Sequence, residues 1–305
     1  MSDFEKWSVE AVLVAFDEHL RRARGVCVGT RRNYVRFVGA FLETVFCDGL
    51  VEVGVICVRD VVDFVSAMTR RYQSVTVELV ATSLRSFFRF LRAAGLRADR
   101  LEDAVPMVLH RRTGLVRYLD SARFDQLIAS LDSSSPRGLR DRAIIFCVAR
   151  LGLRSSEVAR LQFEDIDWLQ GVVRVRSRKT GHGALLPLTG EVGTALADYL
   201  QHGRPASDTR QVFVLHRLRV GAPISDSIIG RAVDNALRQA GIAAPVRGAN
   251  LLRHSLATDL LAHGAGLSEI ADVLGHSSLS TTRIYAAVDV EALRHVGLPW
   301  PQVMS

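Results

Sequence analysis

Six polar side chains stand where local structure should expose them along this 305-residue chain. Arg154 lies in LGLRSSEVARL, between a helix stop at Gly152 and a cap at Ser155. Lys179 sits in SRKTG, near the tip of an expected hairpin, and Arg253 and His254 open an amphipathic helix in LLRHSLATDLL. His276 follows Gly275 in DVLGHSS, and Tyr285 comes early in the next helical stretch, STTRIYAAV. The lysine is the most informative by type. Only Lys6 and Lys179 are lysine among the 39 basic residues. An ammonium can be tuned to release its proton where a guanidinium cannot, which makes Lys179 a candidate general acid. Taken one at a time, the others have ordinary structural readings. An arginine at a helix junction binds carbonyls or a carboxylate such as Glu157, a histidine past a terminal glycine caps its helix, and a tyrosine at helical spacing packs inward with its hydroxyl in water.

Order and spacing carry more than the single residues. R-x-x-E at 154–157, a hairpin lysine, R-H at 253–254, L-G-H at 274–276 and a tyrosine nine residues later follow one another in a pattern that resembles the tyrosine recombinase (phage integrase) family. ATSLRSFFRFLRAAG is similar to that family's last core-binding helix, and YLDSARFDQLIASLD to the opening of its catalytic domain. The resemblance therefore runs along nearly the whole chain. It implies a mainly α fold with a small β-hairpin, in two domains: a helical core-binding DNA-binding domain over 1–112 and a catalytic domain with a C-terminal tail over 113–305.

The resemblance also implies roles. Arg154 and Arg253 would clamp the non-bridging oxygens of a scissile DNA phosphate, a task suited to planar forks that keep their charge. Lys179 would protonate the departing 5′ oxygen, His276 would bond the phosphate or assist proton movement, and Tyr285 would attack to leave a 3′-phosphotyrosyl link. Glu157 and His254 would orient these neighbours. Asn250 departs from the pattern, since the family commonly has histidine three residues before the second arginine; an amide can donate to phosphate but is neither acid nor base near neutral pH. A nucleophile, a proton donor and charge stabilisation are what phosphoryl transfer needs, so no metal and no cofactor is expected. The implied partners are double-stranded DNA, further copies of the chain in a tetrameric synapse, and accessory recombinases. An inactive DNA-binding accessory subunit and a type IB topoisomerase-like enzyme are the competing readings. The tail beyond Tyr285, with Leu293, Val296, Leu298 and Trp300, is expected to dock on a neighbouring protomer or on its own domain, and its ending GLPWP leans toward a mobile-element integrase or transposase.

Periodicity supplies the elements that must hold these residues. Ser8 caps an expected helix over Val9–Leu20, and Thr30 caps the next, with Tyr34, Phe37, Val38, Phe41 and Leu42 on one stripe. Val58–Met68 and Val75–Ala94 follow. The second of these turns Leu84, Phe87, Phe88 and Leu91 inward and Arg85, Arg89 and Arg92 outward as candidate DNA contacts, and stops at Gly95. Residues 96–117 mix charge, proline and glycine without periodicity and are expected to form a linker. Helices capped at Ser121 and over Leu139–Leu151 come next, then a hairpin of Val172–Arg178 and Ala184–Leu188. Glu191–Gln201, Ser227–Gln239, Leu251–His263, Ser268–Leu274 and Ser280–Val288 complete the helices.

Composition is compatible with this reading. The net charge of +7 favours a polyanionic partner, and the excess is spread over both halves rather than concentrated in a tail. No apolar run reaches the roughly 20 residues a membrane helix needs, and the polar opening MSDFEKWSVE does not read as a secretory signal. A cytoplasmic protein without a membrane partner is expected. The four cysteines (Cys27, Cys47, Cys57, Cys147) form no C-x-x-C pair, so neither a metal site nor a disulfide framework is expected.

Overall fold

The computed structural model describes residues 7–22, 25–47, 49–108, 118–176, 183–243, 248–275 and 282. The chain divides into two compact units, Met1–Thr113 and Gly114–Ser305.

The first unit is built on four helices: α1 (Val9–Arg22), α2 (Val28–Val45), α3 (Val58–Arg71) and α4 (Ser74–Ala93). A two-residue strand pair, β1 (Trp7–Ser8) with β2 (Leu50–Val51), joins the start of α1 to the segment after α2. Ser8 accepts from the Ala11 amide at 3.1 Å, so it caps α1. The expected cap at Thr30 is corrected: the cap position of α2 is Cys27, three residues earlier, because the Cys27 carbonyl takes the Arg31 amide and Thr30 lies within the first turn, its hydroxyl 3.2 Å from the Cys27 sulfur. Phe16, Phe41, Phe87 and Phe88 are fully enclosed and pack largely edge-on, as in Phe16–Phe87 and Phe41–Phe88 with ring centres 5.4 and 5.9 Å apart. Each buried ring contributes about 1.5–3 kcal/mol relative to exposure.

The expected linker over 96–117 needs a larger correction. A 3-10 turn at Leu101–Ala104 seats Leu101 and Val105 in the first unit's core. Arginines tie the segment down: Arg97 donates to the carbonyls of Val53 and Ile56, and Arg85 donates to those of Val105 and Pro106 at 3.2 and 2.9 Å. Such contacts leave no hydrophobic period, so pattern reading misses them. Residues 109–117 lie outside the described residues.

The second unit surrounds one buried helix. Before it comes α5 (Ser121–Ala129), capped by Asp120 rather than by Ser121, since the carboxylate accepts the Arg123 amide at 2.8 Å. The central helix, α6, covers Pro136–Leu151 and starts three residues before its expected position. Ser135 caps it by accepting the Gly138 amide at 3.0 Å, and Pro136 fills the first helical position, where a missing N–H costs nothing. Ala143 to Ala149 are all buried. The short helix α7 (Ser155–Arg160) leads into an antiparallel sheet of β3 (Ile166–Asp167), β4 (Val172–Val175) and β5 (Ala184–Pro187). Val173 pairs with Leu186 and with Ile166, and all three face the core. Strand β3 was not expected, because two residues are too few to show a period. Strand β4 stops before Arg178, and the tip at 177–182 lies outside the described residues.

Next come α8 (Gly190–Asp198), a π-turn at Tyr199–Gly203, and α9 (Asp226–Gln239). Then α10 (Asn250–Ala262) and α11 (Leu267–Leu274) pack through Ala257, Ile270 and Leu274. The stretch expected as a helix over 280–288 lies outside the described residues apart from Thr282, which is buried.

Candidate active site

The site begins where α6 ends. Gly152 closes that helix at φ 61°, in the left-handed region that glycine tolerates best. The reversal places Arg154, not the expected Ser155, at the N-cap of α7, with Glu157 in its first turn. Glu157 holds Arg154 twice. Its carboxylate accepts the Arg154 main-chain N–H at 2.9 Å and the guanidinium Nη1 at 2.8 Å. The Glu157 side chain is buried, while a quarter of Arg154 remains exposed. One carboxylate thus satisfies an orphan helix-terminal amide and steers a cation.

Arg253 reaches the same place from another helix. It is the fourth residue of α10 and buried, and its Nη2 donates to the Leu274 carbonyl at 3.0 Å. Arg154 Nη2 donates to the next carbonyl, that of Gly275, at 2.6 Å. Two guanidiniums that stand 99 positions apart in the chain therefore meet at consecutive peptides, where α11 ends in a left-handed Gly275 at φ 61°. Hydrophobic packing brings these ends together: a Cβ on Gly152 would lie 2.8 Å from Leu274 Cδ2 and 3.1 Å from Leu256 Cδ2. Ser255 anchors α10 from its other side, accepting the Leu119 amide at 2.8 Å and donating to Leu251 at 3.0 Å.

Two more residues of the expected site lie on α10. Asn250 is its first residue and exposed, one turn before Arg253 and so on nearly the same face. His254 is half-buried, and burial, followed by the charge of Arg253, holds its pKa below the ordinary histidine value. It is therefore neutral at pH 7, able to donate from one ring nitrogen and accept at the other. Arg154, Arg253 and Glu157 together carry one net positive charge, on donors whose forks fit phosphate oxygens. Lys179, His276 and Tyr285 lie outside the described residues. Among the described residues, no group of three His, Cys, Asp or Glu side chains is arranged to hold a metal ion, and no helix is long and apolar enough to cross a membrane.

The arginine face of α4 differs from its expected form. Arg85 is half-buried and spent on the carbonyls already described, and Arg92 pairs at 2.8 Å with Glu102, whose side chain is buried. Only Arg89 of the three is exposed without an ion pair among the described residues. The correction has a simple cause: the segment after α4 folds back over the face that periodicity alone assigns to solvent.

The backbone acceptors Leu274 and Gly275 and the packing glycine Gly152 escaped the sequence reading as site components. Their one signal is a Leu-Gly pair ending an apolar run just ahead of a candidate residue, which also occurs in ordinary helix stops. Gly152→Ala tests the packing. With φ positive and a 2.8 Å contact to Leu274, the substitution is expected to cost about 1–3 kcal/mol. In a thermal melt the midpoint should fall by about 2–8 °C; an unchanged midpoint would mean that the turn shifts freely.

Comparison with known proteins finds relatives along nearly the whole chain. The Phage integrase family model matches residues 117–292, and the Phage integrase, N-terminal SAM-like domain model matches residues 13–95. The chain is 40% identical over 301 residues to y4rA of Sinorhizobium fredii, a protein named as an integrase/recombinase, covering 98% of this chain and 73% of that one. It is 30% identical over 304 residues to tyrosine recombinase XerD of Mycobacterium tuberculosis, covering 93% and 95% respectively. Its fold is shared with a lambda integrase dimer bound to a COC′ core site, at a TM-score of 0.70 and 16% identity, with 98% of this chain and 99% of that one covered. With both family models in sequence order and a relative matched from end to end, the chain belongs to the phage integrase family and is a tyrosine-type site-specific DNA recombinase.

Proposed function

We propose that this recombinase cuts DNA by attack of the Tyr285 hydroxyl on a backbone phosphorus. The tyrosyl O–P bond forms as the P–O5′ bond breaks, His276 takes the phenolic proton, Lys179 gives its own to the departing 5′ oxygen, and the strand is left with a 3′-phosphotyrosyl link and a free 5′ hydroxyl. Arg154 and Arg253 neutralise charge on the non-bridging oxygens, with His276 bonding the phosphate. The phosphotyrosyl ester retains the energy of the diester, so a 5′ hydroxyl from a second duplex can reverse the step without ATP or metal. The unit over 113–305 carries this chemistry, and the helical unit over 1–112 grips the duplex with it. Four protomers on two sites exchange strands, with accessory recombinases as helpers. The resemblance of GLPWP at 297–301 favours the role of a mobile-element integrase or transposase.

The observation that carries this reading is the convergence of Arg154 and Arg253 on the carbonyls of Gly275 and Leu274. In sequence His276 comes next and Tyr285 ten residues after Gly275. A duplex carrying the recombination site and nicked beside the scissile phosphate tests it, because the short 5′-hydroxyl fragment diffuses away and traps the covalent complex. A protein–DNA band surviving denaturation is expected; its absence with wild-type protein at saturating DNA would sink the reading.

Asn250 has a smaller part. Exposed at the start of α10, its amide adds one neutral hydrogen bond to phosphate. Asn250→Ala is expected to slow cleavage by about tenfold, the worth of one such bond. A loss as complete as that of Tyr285→Phe would show instead that the position is indispensable.

A further inference from the structure

A buried carboxylate pins the hairpin of β4 and β5 at its neck. Asp165 ends the 3-10 turn Phe163–Asp165 that follows α7. Its side chain is enclosed, and its two oxygens accept the Gln162 amide at 2.9 Å and the Arg176 Nε–H. Arg176 is the first residue past β4 and half-exposed, and its Nη2 comes within 3.9 Å of Glu164. The turn that presents Asp165 is itself fixed from behind. The Phe163 amide donates to the Arg210 carbonyl at 3.2 Å and the Val212 amide to that of Leu161 at 2.8 Å. The guanidiniums of Arg204 and Arg210 lie over the Phe163 ring, 4.8 and 5.6 Å from its centre.

The opposite strand closes the neck by contact. Val175 and Ala184 are the last residues in register between β4 and β5, and Gly183 stands just beyond them. A Cβ there would lie 2.9 Å from the Val175 carbonyl oxygen and 3.4 Å from that of Arg176, so a larger residue would push the strands apart. Lys179 comes three residues after Arg176 and four before Gly183. Three residues span at most about 11 Å, so the place of the neck bounds the reach of the lysine. A half-exposed ion pair adds little to stability. What the Asp165–Arg176 pair adds is position.

We infer that Asp165 and Arg176 are positioning residues for proton donation by Lys179, holding the neck of its hairpin against the segment that opens at Arg154. Arg154 caps α7, and the turn bearing Asp165 follows that helix directly. The pair therefore refers the lysine's loop and a phosphate-binding arginine to one frame. A proton donor must come within hydrogen-bond reach of the departing oxygen, and a misplacement of about 1 Å can cost about a hundredfold in rate. Neither residue needs to touch DNA, because its effect passes through the lysine. The inference rests on the reading of Lys179 as the general acid.

The test is single-turnover cleavage of a nicked duplex by the full chain, with the bridging 5′ oxygen at the cut phosphate either kept or replaced by sulfur. When the P–S bond breaks, the sulfur leaves as a thiolate and needs no proton, so a defect in proton donation vanishes on the sulfur duplex. Arg176→Ala is expected to cleave the oxygen duplex about ten- to a hundredfold more slowly than wild type, and the sulfur duplex within about threefold of it. Asp165→Asn, whose side-chain oxygen can still accept the Gln162 amide, should behave alike. The double variant should lose no more than the larger single loss, because both changes remove one contact. Equal losses on the two duplexes, no loss on the oxygen duplex, or additive losses in the double variant overturn the inference. Should a melt show Arg176→Ala unfolded, Gly183→Ala, which opens the neck from the other strand, carries the same comparison. Lys179→Ala separates the two readings. If sulfur rescues Lys179→Ala but not Arg176→Ala, this inference alone fails; if sulfur does not rescue Lys179→Ala, the general-acid reading fails and takes this one with it.

Discussion

Tyr285→Phe is expected to abolish the covalent protein–DNA complex on a nicked duplex while leaving non-covalent binding within about threefold of wild type. The change removes one oxygen and keeps the ring, so packing around position 285 has little reason to alter. Nothing else proposed here can replace the lost atom. Arginine is never deprotonated at relevant pH, and a lysine attacking phosphorus would give an acid-labile phosphoramidate instead of a stable tyrosyl ester. Loss of a nucleophile in covalent enzymes costs on the order of 10⁵–10⁶ in rate, well beyond the reach of a gel assay. Normal affinity with no covalent band is the expected pair of results. Trapped complex in the phenylalanine variant would move the nucleophile elsewhere in the chain.

The second large effect is expected from Arg253→Lys. Lysine keeps the positive charge at a buried position and can still donate to the Leu274 carbonyl, which takes Arg253 Nη2 at 3.0 Å. It loses the planar fork that spans two phosphate oxygens. Because charge on the non-bridging oxygens is stabilised most as the phosphoryl group transfers, single-turnover cleavage should fall by about 10²–10³-fold, the usual cost of one transition-state donor. Ground-state DNA affinity should move much less. The melting midpoint serves as the control, since a drop comparable to that of Gly152→Ala would indicate a structural role. An unaltered cleavage rate with intact folding would remove Arg253 from the phosphate clamp.

Much of the architecture was readable from spacing. The stripe on α2 and the inward row Leu84, Phe87, Phe88 and Leu91 on α4 follow a helical period strictly, and all but the half-buried Tyr34 are enclosed. The pairing of β4 with β5 likewise follows from alternation around a polar turn. Helix ends were less legible, because a cap depends on one hydrogen bond: Asp120 beats Ser121, and Ser135 with Pro136 extends α6 by a turn. The segment after α4 was missed for a different reason. It is held by arginine-to-carbonyl bonds, which any local pattern leaves open.

The order Arg154, Lys179, Arg253, His276, Tyr285 is a property of the linear chain, and it suffices to name a family and a kind of chemistry. Where a guanidinium ends up is not. Arg85 and Arg89, four residues apart on one helix, read alike as letters, yet one is bound to carbonyls and the other faces water. Arg154 and Arg253 become neighbours through tertiary packing, in which Gly152 leaves room for Leu274 and Leu256 against the end of α6. Arg176 meets Asp165, eleven residues before it, where the hairpin folds against the turn after α7. Residue type sets which bonds a side chain can make; long-range packing, which brings distant donors and acceptors together, selects the ones it makes.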